Sequence, residues 1–376
     1  MRTGEETPQR VPWLVVCCAV GLLLIGLSGI ERADELSDGQ DLFSRQVTWA
    51  LLGVPVFTLA TAVPYRRWRP YSYSLFLLTL PLLLVVFWMP PRNGARCWIP
   101  LGFFDFQPSE LAKLACIMTL ANYLMAADHF RRLTGLLPPF LMTMLPTALI
   151  LKEPDLGSAM LFIPVMMAML FAAGARPRHL LLMMVLGAAC LPVFWTGMSA
   201  EQKSRITSLF NQRDGGPAPQ GDGYHQHQAK LVHSLGGLWG SECSGMPLED
   251  PDAYHLPAGQ TDFVFCWVGE RWGLGGVIVT LSLYALLFAK GLHIAASTRD
   301  PYGRLIAVGI VTLLASQTII NTGMTAGIAP IAGITLPLMS YGGSSLLSTC
   351  LALGLLVNVG MRPGYYVTSE PFAFRD

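Results

Sequence analysis

Val11-Pro-Trp-Leu-Val-Val-Cys-Cys-Ala-Val-Gly-Leu-Leu-Leu-Ile-Gly-Leu-Ser-Gly-Ile30 runs for twenty residues without a charged side chain. A bilayer core about 30 Å thick takes roughly 20 helical residues. This stretch therefore reads as a full span and an uncleaved first helix, not the shorter apolar core of a signal peptide. Nine more apolar runs bounded by charge or by Pro and Gly follow along the 376-residue chain. Ten spans are thus predicted, at about residues 11–30, 47–64, 72–90, 109–126, 136–151, 157–173, 179–197, 263–289, 303–323 and 345–360. The expected fold is an all-α integral membrane protein, a single polytopic domain over residues 1–376. Composition agrees, with 52% apolar and 13% charged residues against roughly 25% charged in soluble domains. A net charge of +1, with arginines scattered between apolar runs, offers a polyanion no basic face, which sets nucleic acid aside.

Arg and Lys are held back on the cytoplasmic side of short membrane loops. Arg66, Arg67 and Arg69, then Arg131 and Arg132, then Arg176 and Arg178, then Lys290, Arg299 and Arg304 fall in alternate connections, whereas the first connection carries Glu31, Asp34, Glu35, Asp38 and Asp41. That alternation places both termini in the cytoplasm. It also places outside the one long connection, residues 198–262, between the seventh and eighth spans. A long loop in a compact protein is usually functional. Its middle, Asp214 to Tyr224, is rich in turn residues and expected to be mobile, while Ala229 to Trp239 is apolar enough for a helix on or in the membrane surface. Six cysteines lie within apolar runs and show no metal or redox spacing, while Cys97 and Cys243 sit in connections where a disulfide is compatible with an outer location. His225, His227 and His233 have no acidic or thiol partner at metal-ligand spacing, so no metal site is expected.

Ionisable residues at membrane level each require a partner or a function. Pro108 suits a first helical position, with Glu110 in the first turn and Lys113 on the same face at i, i+3. That spacing describes a self-satisfied ion pair as well as a site. Asp155, in Glu153-Pro-Asp155-Leu-Gly157-Ser158, and Asp262, in Leu256-Pro-Ala-Gly-Gln-Thr261-Asp262-Phe263, each read either as a helix cap or as a functional carboxylate. From Gln317 through Asn321 to Ser345, Gly and Pro are too frequent for continuous helix at membrane depth. Irregular backbone there is tolerated only where it is buried or lines a cavity.

Together these stretches resemble the signature of the SEDS (shape, elongation, division and sporulation) family. The matching segments are Arg96-Cys-Trp98-Ile-Pro-Leu-Gly102 followed by Gln107-Pro-Ser109-Glu110-Leu-Ala-Lys113, then Pro154-Asp155-Leu-Gly157-Ser158, Leu256 to Phe263, and Leu336-Pro-Leu-Met-Ser340-Tyr-Gly342-Gly343-Ser344-Ser345. Gly102-Phe-Phe-Asp-Phe-Gln107 and Ala332-Gly-Ile, with a short amino-terminal tail, look more like the RodA branch than FtsW. The resemblance implies a peptidoglycan glycosyltransferase of the bacterial cytoplasmic membrane that polymerises lipid II and releases undecaprenyl diphosphate. Its expected partner is a class B penicillin-binding protein. Asp262 occupies the position of the family's essential aspartate. Arg96, Trp98, Ser109, Glu110, Lys113, Asp155, Thr261, Asn321, Ser340, Gly342, Gly343 and Ser344 would line the substrate cavity. No cofactor is implied, though a divalent cation is compatible with the chemistry.

A carboxylate at 262 would take the proton from the acceptor hydroxyl, and Arg96 and Lys113 would offset the charge of the leaving diphosphate. The chain departs from the family at Ala258 and Gln260, where Glu and His are common, at Glu153, where Gln is usual, and at Arg271, where a second acid is common. Broken helices and intramembrane charge also describe transporters, so a flippase for lipid-linked precursors is the alternative, with a non-catalytic scaffold the third.

Overall fold

The computed structural model describes residues 10–36, 41–91, 96–102, 104–126, 133–210, 222–245, 254 and 256–364. The apolar runs form helices α1 (Trp13–Leu36), α2 (Leu42–Ala62), α3 (Tyr65–Trp68), α4 (Ser72–Val85), α5 (Pro108–Ala126), α6 (Leu137–Lys152), α7 (Leu156–Ala173) and α8 (Pro177–Gly197). After α8 come α9 (Ala200–Phe210), α10 (Asp222–Leu235), α11 (Ser241–Ser244), α12 (Val264–Ser297), α13 (Pro301–Thr325) and α14 (Gly343–Met361). Among the described residues, nine helical segments are long and apolar enough to cross a membrane. They coincide with nine of the ten predicted spans.

The tenth predicted span is α5. Its 19 residues include Glu110, Lys113 and Asn122, so it is too polar to pass as a span by hydropathy. Almost every side chain from Pro108 to Ala121 is nevertheless buried, packed among α4, α7 and α13. A helix shielded from lipid by its neighbours can carry polar groups that a lipid-facing helix cannot. At the other extreme, only 6% of the α8 window is buried, so α8 stands at the periphery.

The two ends of the bundle are held differently. At one end, Arg66 Nε and the Tyr65 hydroxyl both donate to Asp300 Oδ2, at 3.1 and 2.7 Å, and the Arg299 amide donates to the Pro363 carbonyl at 3.0 Å. The predicted cytoplasmic Arg66 and Arg299 connections therefore share that end with the segment that follows α14. At the opposite end of α12, Arg32 pairs with Glu270 at 3.0 Å, while Arg271 pairs with Glu31 at 2.9 Å and Glu242 at 3.1 Å. These ion pairs extend α1 to Leu36, beyond the apolar run that ended at Ile30. They also give Arg271, one of the departures from the family pattern, two acidic partners.

The long connection is folded where it is described. Ser199 and Gln202 cap the start of α9 reciprocally, the Ser199 amide donating to Gln202 Oε1 at 3.1 Å and the Gln202 amide to Ser199 Oγ at 3.2 Å. The helix expected over Ala229–Trp239 begins earlier, at Asp222, and stops at Leu235. Its Ala229 and Val232 are buried against Phe263, Cys266 and Trp267, so α10 packs on the end of α12. Gly236 follows it where only glycine fits, since a Cβ there would strike the Gly269 carbonyl. The Leu274 amide then reaches the Gly237 carbonyl at 3.1 Å, across the break that Gly273 makes in α12. The turn-rich centre expected to be mobile falls mostly outside the described residues. Cys97 is buried and Cys243 exposed, both as free thiols, so the disulfide is not formed.

Candidate functional site

Asp262 lies at the start of α12, opposite the Arg66–Asp300 end. The Ala258 carbonyl accepts the Thr261 and Asp262 amides at 3.2 and 3.0 Å and closes a tight turn. Ala258 itself takes a positive φ of 55° to do so, which is strained for a residue with a Cβ. Asn321 on α13 fixes the turn in place. Its side-chain amide donates at 2.7 Å to both the Asp262 and Ile334 carbonyls, tying α12 to the irregular segment between α13 and α14. Asn321 is fully buried, and its amide supplies donors that the broken helix lacks.

That irregular segment, residues 326–342, is held from three sides. Gln46 on α2 donates to the Ser340 carbonyl at 3.0 Å and accepts from the Gly342 amide at 3.2 Å. The Leu336 amide donates to Ser340 Oγ at 2.8 Å, and the Tyr341 amide reaches the Gln260 carbonyl at 2.9 Å. Gly343 opens α14 against the Trp49 ring, where a Cβ would overlap the indole. Ser344 Oγ donates to the Asp105 carbonyl at 2.7 Å and accepts from the Gln107 amide at 3.2 Å. Those contacts seat the short hairpin β1 (Ile99–Pro100) and β2 (Asp105–Phe106) that leads into α5.

Asp155 caps α7, accepting the Ser158 amide at 2.9 Å, and also accepts from Gln107 Nε2 at 3.3 Å. It is therefore a cap and a member of the same polar surface at once. Gly157 is required beside it, because a Cβ there would collide with the Ala332 carbonyl. Glu110 and Lys113 are both buried and joined at 2.8 Å. Ser348 on α14 donates to the other Glu110 oxygen at 2.8 Å, and a narrow polar pocket opens there between Glu110, Gln317 and Ser348.

The electrostatics link these groups. Burial lifts the Asp262 carboxyl to about 6; the Arg205 charge opposes that, the Asp155 charge adds to it, and the Thr261 hydroxyl opposes it. Burial likewise raises Asp155; bonds from Ser158 and then the Lys113 charge pull it down, and the Glu110 charge adds to the rise. Glu153 is pushed up to about 8 by burial and by Asp155, and among the described residues neither of its oxygens has a hydrogen-bond partner. Among the described residues, no three His, Cys, Asp or Glu side chains gather as a metal set would need.

Of the residues singled out from sequence, Asp262, Thr261, Asn321, Asp155, Ser340, Gly342, Gly343 and Ser344 belong to one connected network around the end of the bundle. Glu110 and Lys113 lie just beneath it, as does the buried Ser109. Arg96 does not join them, since it is exposed and its guanidinium donates to the Phe87 carbonyl at 2.7 Å, beyond the end of α4. Trp98 sits beside it, half-buried before β1. Sequence reading missed Gln46, Arg205 and Ser348. Gln46 had a visible signal, an amide at the edge of an apolar run. Arg205 had none, because its distance from Asp262 in the chain is spanned only by folding.

Comparison with known proteins agrees with this geometry. The family model described as a cell cycle protein, FtsW/RodA/SpoVE, matches residues 9–363. A probable peptidoglycan glycosyltransferase FtsW from Geobacter metallireducens is 36% identical over 367 residues, covering 94% of this chain and 96% of the relative. A solved structure described as a peptidoglycan synthase complex that coordinates polymerization and crosslinking contains a chain 30% identical, with a TM-score of 0.79 over 93% of this chain and 97% of its own. The Thermus thermophilus rod shape determining protein RodA is 28% identical, with a TM-score of 0.69 over 95% and 98% of the two chains. The chain belongs to the FtsW/RodA/SpoVE family, the SEDS family of the motifs above. Relatives of both names are matched, so the RodA reading continues to rest on residues 102–107 and 332–334 and the short amino-terminal tail.

Proposed function

We propose that this family member, a peptidoglycan glycosyltransferase, polymerises lipid II with Asp262 as general base. The observation that carries the assignment of the base is the position of Asp262: a half-buried carboxylate at the end of the bundle, fixed through its backbone by Asn321. In the reaction, the acceptor sugar hydroxyl oxygen forms a bond to the anomeric carbon of the donor. The bond from that carbon to the diphosphate breaks, its electron pair leaving with undecaprenyl diphosphate. The hydroxyl proton passes to Asp262 and from there to water. A base works best with a pKa near the working pH, and burial has moved Asp262 toward neutrality.

The site end faces outward, where the sugars of lipid II are presented, and the Arg66–Asp300 end faces the cytoplasm with both termini. The folded connection α9–α11 stands over the site on the outer face. A class B penicillin-binding protein is the expected partner, as its transpeptidase activity cross-links the strand made here. The structural neighbour that couples polymerization to crosslinking supports that pairing.

The test is glycan polymer formed from purified lipid II by purified protein, with and without the partner, for wild type and Asp262→Asn at equal inserted amounts. Asn keeps the size and removes the base, so the rate should fall by about 100-fold to 10,000-fold. Lipid II binding should change far less, since the carboxylate acts in the transition state. Polymer within a few-fold of wild type would assign the base elsewhere.

A further inference from the structure

Sequence reading assigned the charge of the leaving diphosphate to Arg96 and Lys113. The structure turns Arg96 to a backbone carbonyl away from Asp262 and closes Lys113 onto Glu110. A third cation stands closer to the base. Arg205, on the capped helix α9, brings its guanidinium to the same spot as the Asp262 carboxylate. A Cβ built on Gly333 would lie 3.8 Å from Asp262 Oδ2 and 4.0 Å from Arg205 Nη1. Gly333 has φ 61°, so glycine is favoured there by conformation as well. Both the carboxylate and the guanidinium therefore border the small space that its missing side chain leaves.

We infer that Arg205 binds the diphosphate of the lipid-linked donor, at the gap beside Gly333 that it shares with Asp262. This inference rests on the glycosyltransferase reading and supplies the anion-binding group that the reading needs. Arg suits the role because its planar fork meets phosphate oxygens with two parallel bonds. Among the described residues, the charges acting on Asp262 are Arg205 from α9 and Asp155 from the start of α7, and the neutral Thr261 hydroxyl of its own turn adds a hydrogen bond. Asp155 is acidic, so it repels a diphosphate and cannot replace Arg205.

The full chain in detergent is titrated with undecaprenyl diphosphate, with undecaprenyl alcohol and inorganic diphosphate as separate probes. For Arg205→Gln the affinity for undecaprenyl diphosphate should fall at least tenfold, with the alcohol unchanged, and Arg205→Lys should recover part of the loss. Asp262→Asn should bind the lipid diphosphate as well as wild type or better, because a repelling charge is gone. Unchanged affinity in Arg205→Gln overturns the inference. So does Arg205-dependent binding of inorganic diphosphate without any for the lipid. If Arg205→Gln fails to fold, Gly333→Ala fills the gap instead. It should weaken binding of the lipid diphosphate while leaving the alcohol unaffected, and unchanged affinity there is equally fatal. The two readings fail separately. A wild type that binds the lipid diphosphate through Arg205 but makes no polymer sinks the polymerase and keeps the site. Polymer made equally by wild type and Arg205→Gln, at equal affinity, sinks Arg205 alone.

Discussion

The charge on Asp262 depends on where it sits. Burial lifts its carboxyl to about 6 and Arg205 restrains the rise. A general base must be ionised, so polymerisation should hold above about pH 6 and fall roughly tenfold per unit below it, with the limb absent from the residual rate of Asp262→Asn. A flat profile down to pH 5 would mean that another group takes the proton. Glu153 makes the opposite case, a carboxylate with no evident benefit. Its folded value of about 8 lies above the ordinary 4.5. The sign is therefore destabilising. Below the unfolded value the carboxyl is protonated in both states and costs nothing, and as pH rises through 4.5 toward 8 folding must increasingly keep a proton that the unfolded chain has released. Glu153→Gln restores the residue usual in the family and removes the titration. It should raise the melting temperature of purified protein by several degrees at pH 8 and by much less at pH 4.5, and equal gains at both would refute the burial account. Asp155 and Asp262 were legible as residues from their motifs, yet cap and site could not be separated there. The structure shows Asp155 to be a cap whose second oxygen also meets Gln107, so capping does not use up the carboxylate.

At the scale of elements, α5 carries the sharpest contrast between pattern and packing. Its hydropathy alone would not mark it as a span, and its burial among α4, α7 and α13 is what admits Glu110 and Lys113 to the interior. Removing a buried ion pair whole is often near neutral for stability, whereas removing one partner strands the other charge. Glu110→Gln with Lys113→Met should therefore fold and insert as wild type does, while Lys113→Met alone should lower the melting temperature. If the pair serves only α5, the double variant polymerises normally. A functional Lys113, whose charge reaches Asp155, predicts at least a tenfold loss of polymer with folding intact. The elements themselves were readable because apolar run length is a strong signal. The break between α13 and α14 was readable for a different reason, since its Gly and Pro density cannot be reconciled with a membrane helix. What holds that break, Gln46 from α2 and Asn321 from α13, was legible only in part. A single amide in an apolar run announces a buried bond without naming its partner.

At the scale of the whole molecule, the arginine alternation and the tertiary contacts are independent and agree. The Arg66 and Arg299 connections and the segment after α14 meet around Asp300, at the opposite end of α12 from Asp262. If the positive-inside rule orients the chain, that end is cytoplasmic and the α9–α11 connection is outside. Native Cys243, on α11, is an exposed thiol on the predicted outer side, while the exposed Cys17 and Cys190 lie within spans where a charged reagent cannot follow. An impermeant maleimide should therefore label wild-type protein in intact spheroplasts, and Cys243→Ser should abolish the signal. Ser297, exposed at the far end of α12, supplies the complementary probe. In the Cys243→Ser background, Ser297→Cys should react only after the membrane is permeabilised. Labelling of position 297 but not 243 in intact spheroplasts would invert the molecule. Asp262 would then face the cytoplasm, where no polymer is laid down, and the polymerase reading would fall with the topology, leaving a carrier of lipid-linked precursor as the reading that the same intramembrane charges support.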